Sequence, residues 1–579
     1  MKRTLPKDAV QRLHETAAEY WEILLERNPT MATDLGDHRY DDMLPDYSAE
    51  ARAEYFGRIH DLVQRFRAIP VEELNGQHAT THAALQSMLD LELAAEPFMD
   101  DEWTINPLHG PTTWLAEFSD RQPLHPGDAF ERLLARFRGS AKMFATVEER
   151  LSVGMAKGMT APRIGVDRLA AQLRRILATP PERSAFIPSG APPEGMTAEQ
   201  FAQRKQQIAD VVQAVVYPAL QRHMEFLEKT YLPAARTVPG LCAMPGGSEY
   251  YRYLIRLYTG RDDTPEEIHE IGRQEIGRLH AEMKEIGRRW CGTSSIREIV
   301  QEMKARKDQY LSSREALLEY NRGLLERAQK ALPDYFGRLP TRKCEVKPVE
   351  QFRELDAPSG FYSRAPDDGT RPAYYYVNTH HPDQRPIFNI EALAFHEAVP
   401  GHHLQIAIAQ DLHELPAFRR HLGQTAYVEG WALYAERLAD EMGLYSSELA
   451  RFGMLNYQAW RAARLVIDTG IHALGWSREQ AIAELLSNTA HAEAEAVIEV
   501  DRYICMPGQA LSYMIGRMAF DALRSTAETA LGPRFDLKRF HDVVLEHGAV
   551  PLQTLEGIVA RWIESTSVEE QAGREAGAD

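Results

Sequence analysis

His396-Glu397-Ala398-Val399-Pro400-Gly401-His402-His403 is the stretch on which the reading of this chain turns. A His-Glu-x-x-His run on a helix sets two imidazoles one turn apart, able to share one zinc ion, with the intervening Glu as general base. Here the second histidine comes two or three residues late, behind a Pro-Gly pair. A regular helix rises ~1.5 Å and turns ~100° per residue, so His403 shares the face of His396 but lies roughly 10 Å along the axis, while His402 points elsewhere. Zinc holds each nitrogen at ~2.0–2.1 Å, which neither spacing delivers on a straight helix. Pro400 removes a donor and clashes with the preceding turn, and Gly401 permits unusual dihedrals. The pair therefore predicts a bulge that absorbs the extra residues, returns His402 to His396 and leaves His403 outside the donor set.

A third donor should come from another helix. Glu429 lies 27 residues after His402, in the helix-like run Ala426-Tyr427-Val428-Glu429-Gly430-Trp431, a separation that suits helix, loop and returning helix. Glu436 falls on the same face two turns later and could orient a ligand. A His396, His402 and Glu429 set leaves one position open for water, the catalytic rather than the structural pattern. Glu397 is then the general base that takes a proton from the activated water. A lone His-Glu pair is most often surface or core decoration; the Pro-Gly-His-His tail and Glu429 set this one apart.

Groups for substrate are sought nearby. Gln509, Tyr513 and Arg517 recur at i, i+4 and i+8 and form one polar stripe if helical. Tyr513 could donate to an oxyanion, and Arg517 could hold a substrate carboxylate; a solvated helix face is the plain alternative. The best strand is Tyr374-Tyr375-Tyr376-Val377-Asn378, with a second around Lys343 to Val349. A free edge there would bind a peptide by strand addition, with Asn378 on its backbone. His472 and His491 read as structural histidines, and His380-His381 as an exposed turn.

The rest of the chain reads as helical. Apolar residues recur at helical period over 8–28, 129–151 and 199–230. Thr264-Pro265-Glu266-Glu267, Ser477-Arg478-Glu479-Gln480 and Thr197-Ala198-Glu199-Gln200 are capping boxes. The Pro, Gly and Ser-rich stretch 179–196 could divide an N-terminal helical subdomain, 1–180, from a catalytic part, 197–564, within one unit over 1–570. The segment 565–579 reads as a frayed tail. At 579 residues with 44% apolar content the chain can bury a large core. A formal charge of −18 argues against nucleic acid and anionic membranes as partners. Cys242, Cys291, Cys344 and Cys505 are scattered and suggest thiols. No apolar run follows the basic start, so the expectation is a cytoplasmic protein.

The histidine motif through Leu404-Gln405, together with Glu429-Gly430-Trp431-Ala432, resembles bacterial domain-of-unknown-function family 885. Ala32-Thr33-Asp34-Leu35-Gly36-Asp37-His38, Gly246-Gly247 and Pro507-Gly508-Gln509-Ala510-Leu511-Ser512-Tyr513 extend the resemblance over most of the chain. It implies a mainly α, zincin-like metallopeptidase fold, here with a small β-sheet beside an active-site cleft. Gly401-His402 also resembles the Gly-His ending of the motif in helical oligopeptidases and carboxypeptidases, which favours His402 over His403. The resulting expectation is a zinc-dependent hydrolase of peptide bonds that holds one ion, zinc or another divalent metal, and takes a peptide or small amide. The rival expectations are a metal-dependent hydrolase of a non-peptide amide or ester, and a non-catalytic protein that binds a peptide or metabolite. Cleavage direction and oligomeric state are left open.

Overall fold

The computed structural model describes residues 8–124, 128–349, 354 and 357–576. It is mainly helical, with one three-stranded sheet. The expected helices form as Ala9–Arg27, Ala129–Ala156 and, from Ala198, a run that continues through a π-helical turn at Val212–Val216. All three capping boxes close reciprocally, with Thr197, Thr264 and Ser477 each accepting from the backbone of the third helical residue. The last helix, Leu552–Ala576, continues past Ser565, where fraying was expected; residues 577–579 lie outside the described ones.

Hydrophobic packing does not divide the chain at 179–196. One apolar cluster joins the first helices, Ala9 to Leu89, to Leu317–Phe336 and on to Val559. A second surrounds the central helix Glu448–His472, and a third runs from Ile105 to Ala235, across the Pro-rich loop. The motif helix Ile387–Glu397 sits on the seam between the first two. Ile390, Ala394 and Phe395 face one core, while Phe388 and Ala392 face the other. The carboxylate helix Thr425–Glu441 and the tyrosine helix Ser512–Leu531 straddle the same seam. A helix apolar on two sides must be enclosed, and this brings the polar residues of all three to one interior place.

The sheet precedes the motif in sequence. Strands β1 (Cys344–Pro348), β2 (Gly360–Ser363) and β3 (Ala373–Val377) are ordered β1-β3-β2, with β1 parallel and β2 antiparallel to β3. Both strands expected from the sequence are present; β2 was not foreseen. Because β3 is central, the Tyr374–Asn378 strand has no free edge for a peptide, contrary to expectation.

The carboxylate and tyrosine helices touch backbone to backbone. A Cβ built on Gly430 would lie 2.4 Å from the Gly516 carbonyl carbon, and one on Gly516 would lie 1.9 Å from the Ala426 oxygen. Neither neighbour is a side chain that can turn aside. Gly516→Ala is therefore expected to force the helices apart at a cost of about 1–3 kcal/mol. A thermal melt of the purified variant checks this, and an unchanged midpoint would refute the contact.

Candidate metal centre

The motif helix ends at Glu397, and a second helix begins at His402. The expected bulge is thus a complete break, with Val399-Pro400 in the cis form. Two contacts fix the turn. Trp431, fully buried, donates its Nε1–H to the Pro400 carbonyl at 3.0 Å. At Gly401 a Cβ would lie 1.9 Å from the His396 oxygen and 2.5 Å from that of Phe395, so only glycine lets the chain fold this close.

The consequence anticipated for the histidines follows. The His396 and His402 rings stand 4.8 Å apart, nearly perpendicular. Their Nε2 atoms lie 3.5 and 3.4 Å from the same Glu429 Oε2. His396, His402 and Glu429 each offer one donor atom, all within 4.8 Å of one another. His403 is turned away, its Nε2 donating to the Arg342 carbonyl at 3.1 Å and its Nδ1 accepting from the Tyr362 hydroxyl at 3.2 Å. Burial drives its pKa down to about 4, so it is a neutral structural histidine.

These donors fit a small divalent ion. Zinc at about 2.0–2.1 Å from tetrahedral ligands separates them by roughly 3.3 Å, close to both His–Glu distances. Glu429 Oε2 is buried and without a hydrogen-bond partner, an arrangement that a cation would satisfy. Burial pushes the Glu429 carboxyl up, but His402 and His396 outweigh it and hold it well below the usual range.

A polar chain orients His396 from behind. Its Nδ1 meets Glu436 Oε1 at 2.8 Å, the role anticipated for Glu436. Glu436 Oε2 accepts from Gln458 Nε2 at 3.0 Å, and Gln458 Oε1 accepts from Arg517 Nη1 at 3.1 Å. With Nδ1 so engaged, Nε2 is the nitrogen left for an ion. Burial disfavours charge on His396, yet the nearby Glu429 carboxylate and the hydrogen-bonded Glu436 win and raise its pKa to about 9.

Glu397 adjoins the donors. Its Oε2 accepts the Tyr362 backbone N–H of β2 at 2.9 Å. Burial raises its pKa, against the opposing charges of His402 and His396. Tyr513 stacks on His396 with ring centroids 6.4 Å apart. Its hydroxyl accepts from Gln509 Nε2 at 3.4 Å and from Arg502 Nη2 at 3.5 Å.

Two expected substrate groups are otherwise engaged. Asn378 is fully buried, its amide donating to the carbonyls of Glu354 and Ala357 and accepting from the His380 N–H. It holds the loop after β3 with both amide N–H groups spent, and its full burial keeps it from a peptide. Arg517 is bound to Asp521 at 2.6 and 2.8 Å as well as to Gln458, so it serves the His396 chain rather than a substrate carboxylate. Gln509 lies in a 3-10 turn ahead of the tyrosine helix, where Asp468 fixes the adjacent Gly508 N–H at 3.0 Å. It therefore stays near Tyr513 while Arg517 faces elsewhere. His472 is structural as expected, with Nε2 donating to the Tyr503 carbonyl at 3.0 Å and Nδ1 accepting from the Leu241 N–H.

Sequence reading passed over Gln458, Arg461 and Arg464. The available signal was a polar series, Gln458, Arg461, Arg464, Asp468 and His472, at helical spacing within an otherwise apolar run.

The family described as "Bacterial protein of unknown function (DUF885)" matches residues 29–559, and the chain belongs to it. Among curated proteins there is no match. A solved structure described as a "putative lipoprotein" from Colwellia psychrerythraea is similar at 29% identity and a TM-score of 0.89, over 96% of this chain and 100% of that one. A "putative lipoprotein of unknown function" from Shewanella oneidensis, 17% identical, shares the fold at a TM-score of 0.73, over 96% of this chain and 100% of that one.

The two adjacent histidines give a sharp test. His402→Gln is expected to abolish stoichiometric metal binding, and His403→Gln to retain it, by elemental analysis of purified protein after dialysis against zinc. Equal loss in both variants would contradict the donor set.

Proposed function

We propose that this chain is a zinc-dependent hydrolase of amide bonds, with peptides as its substrates, in a zincin-like helical fold. One observation carries the reading: two buried imidazoles each approach one buried, unpartnered carboxylate oxygen at 3.5 and 3.4 Å, all three donors lying within 4.8 Å of one another, with Glu397 beside them. His396, His402 and Glu429 would hold the ion. Bound there, a divalent metal supplies Lewis acidity, which polarises a carbonyl and acidifies a water. Two imidazoles and a carboxylate suit zinc, and manganese or cobalt could occupy a similar set.

The chain's own groups do the remaining work. Tyr362 N–H engages Glu397 Oε2, which leaves Oε1 to take the proton of the attacking water. Glu397 then returns that proton to the leaving nitrogen. Its raised pKa suits a base that must also act as an acid. Tyr513, whose ring lies against His396, would offer its hydroxyl to the developing oxyanion. Glu436 keeps the His396 ring oriented throughout.

A cleft reaching this centre is supported by its charged neighbours. Glu429, Arg502 and Glu499 retain 17%, 16% and 19% side-chain exposure although protein surrounds them, as groups lining a deep, wet cleft would. β2 forms one wall in this reading. All four cysteines are free thiols, the form that a reducing compartment maintains. No helix among the described residues is long and apolar enough to cross a membrane.

Glu397→Gln is expected to keep its zinc while peptide hydrolysis falls by about 10²–10⁴-fold. The check is turnover of a quenched peptide library alongside metal content. Undiminished cleavage would overturn the mechanism.

A further inference from the structure

Arg461 and Arg464 lie on the central helix, buried to 3% and 2% exposure. Arg461 makes one long hydrogen bond, from Nη1 to the Tyr457 carbonyl at 3.4 Å. Its nearest carboxylate oxygen, Glu436 Oε1 at 3.9 Å, is already engaged by His396. Its Nε is buried with no partner. Arg464 donates through Nε to the Tyr503 hydroxyl at 3.0 Å and through Nη2 to Glu499 at 3.1 Å, while its Nη1 is buried and unpartnered. Arg502 also leans on Glu499, at 3.1 Å.

Two guanidinium groups, those of Arg464 and Arg502, therefore share Glu499, and Arg461 has only the Glu436 oxygen that His396 already holds. The other titratable neighbours are Asp468, spent on the Tyr251 hydroxyl and the Gly508 N–H, and Glu495 and His491. Glu495 is exposed and occupied in capping Ala492. Burial drives the His491 pKa down to about 4, so it adds no charge at neutral pH. Aromatic rings line the pair. Arg461 lies 4.6 Å from the Tyr457 ring and 4.2 Å from that of Trp460, and Arg464 lies 4.4 Å from the ring of Tyr513. A buried cation without a matching anion is costly, and an unpartnered guanidinium fork suits a planar carboxylate.

The position gives the cluster a meaning. Tyr513 touches both Arg464 and His396, so the arginines stand one aromatic ring from the candidate metal centre. An extended peptide advances roughly 3.3–3.6 Å per residue, which puts a group a residue or two beyond the scissile carbonyl within their reach.

We propose that Arg461 and Arg464 form a carboxylate subsite, and that the hydrolase is a carboxypeptidase that takes peptides by their free C-terminal carboxylate. The carboxypeptidase assignment rests on the amide-hydrolase reading above; the anion subsite does not. The reaction is simple hydrolysis. The C–N bond breaks, the carbonyl carbon gains the water oxygen, and the leaving nitrogen gains a proton, with no further reactant.

The test compares a matched pair of N-acetylated short peptides, one with a free C-terminal carboxylate and one amidated. Zinc-loaded Glu397→Gln protein is titrated with each by calorimetry, and wild-type kcat/KM is measured on both. At least tenfold preference for the acid is expected in both measurements. Arg461→Met and Arg464→Met should shrink that preference through KM while zinc content stays at one equivalent. Arg461→Lys and Arg464→Lys, which preserve the charge, should recover part of it and guard against a folding defect. Equal binding and turnover of acid and amide would overturn the proposal even if zinc hydrolysis stands. Preference for an internal acidic side chain over the C-terminus would overturn the carboxypeptidase assignment. Should no peptide be cleaved, acid-selective binding lost in Arg461→Met would still support the subsite, while the hydrolase reading and the carboxypeptidase assignment built on it would fall together.

Discussion

Backbone contact between Gly430 and Gly516 is the constraint from which the rest of the centre follows. No side chain separates the carboxylate and tyrosine helices there, so residues flanking the contact are set with little freedom. Glu429 precedes Gly430 and reaches both imidazoles. Trp431 follows it and grips the Pro400 carbonyl. Tyr513, one turn before Gly516, lies against His396. One close crossing thus fixes a donor, the clamp on the broken motif and the ring beside the first histidine. Close-packed interiors transmit small displacements, and a methyl group here would disturb all three together.

Charge around His396 is unusually concentrated for an interior. Glu436 is fully buried, and Gln458 and Arg517 extend its hydrogen bonds inward. Burying such groups is tolerable only when every link is satisfied, and this chain closes at its far end on Asp521. The near end does not close. His396 Nε2, His402 Nε2 and Glu429 Oε2 converge without good hydrogen-bond geometry between them. A network completed on one side and open on the other is organised toward something that fills the opening.

How much of this could be read beforehand differs by element. Helices were legible because their signals are local: apolar period, capping boxes and the Pro-Gly interruption all lie within a few residues of what they control. Glu429 and Glu436 were legible from spacing along one helix. Asn378 and Arg517 were misjudged because polarity in a sequence does not reveal whether a partner already holds the group. Glu354 and Asp521 supply those partners, and only the fold brings Asn378 and Glu354 together. β2 was missed because Gly360–Ser363 is four residues long, too short for alternation to register. Arg461 and Arg464 were passed over, since only the packing around the central helix shows that their polar series is enclosed rather than solvated.

The extra residues in the motif have a structural return beyond reuniting two histidines. In an uninterrupted helix one turn would carry both donors, and nothing would tie the helix to a sheet. Breaking it at Pro400 and Gly401 starts a new helix with adjacent histidines facing different ways. His402 turns to Glu429, and His403 turns to Tyr362. Tyr362 then holds His403 with its hydroxyl and Glu397 with its backbone N–H. The second histidine of the pair therefore fixes β2, and β2 fixes the carboxylate beside the donors. On this argument the late spacing is what couples Glu397 to the sheet, and His403, which lies outside the donor set, positions that carboxylate through one intervening residue.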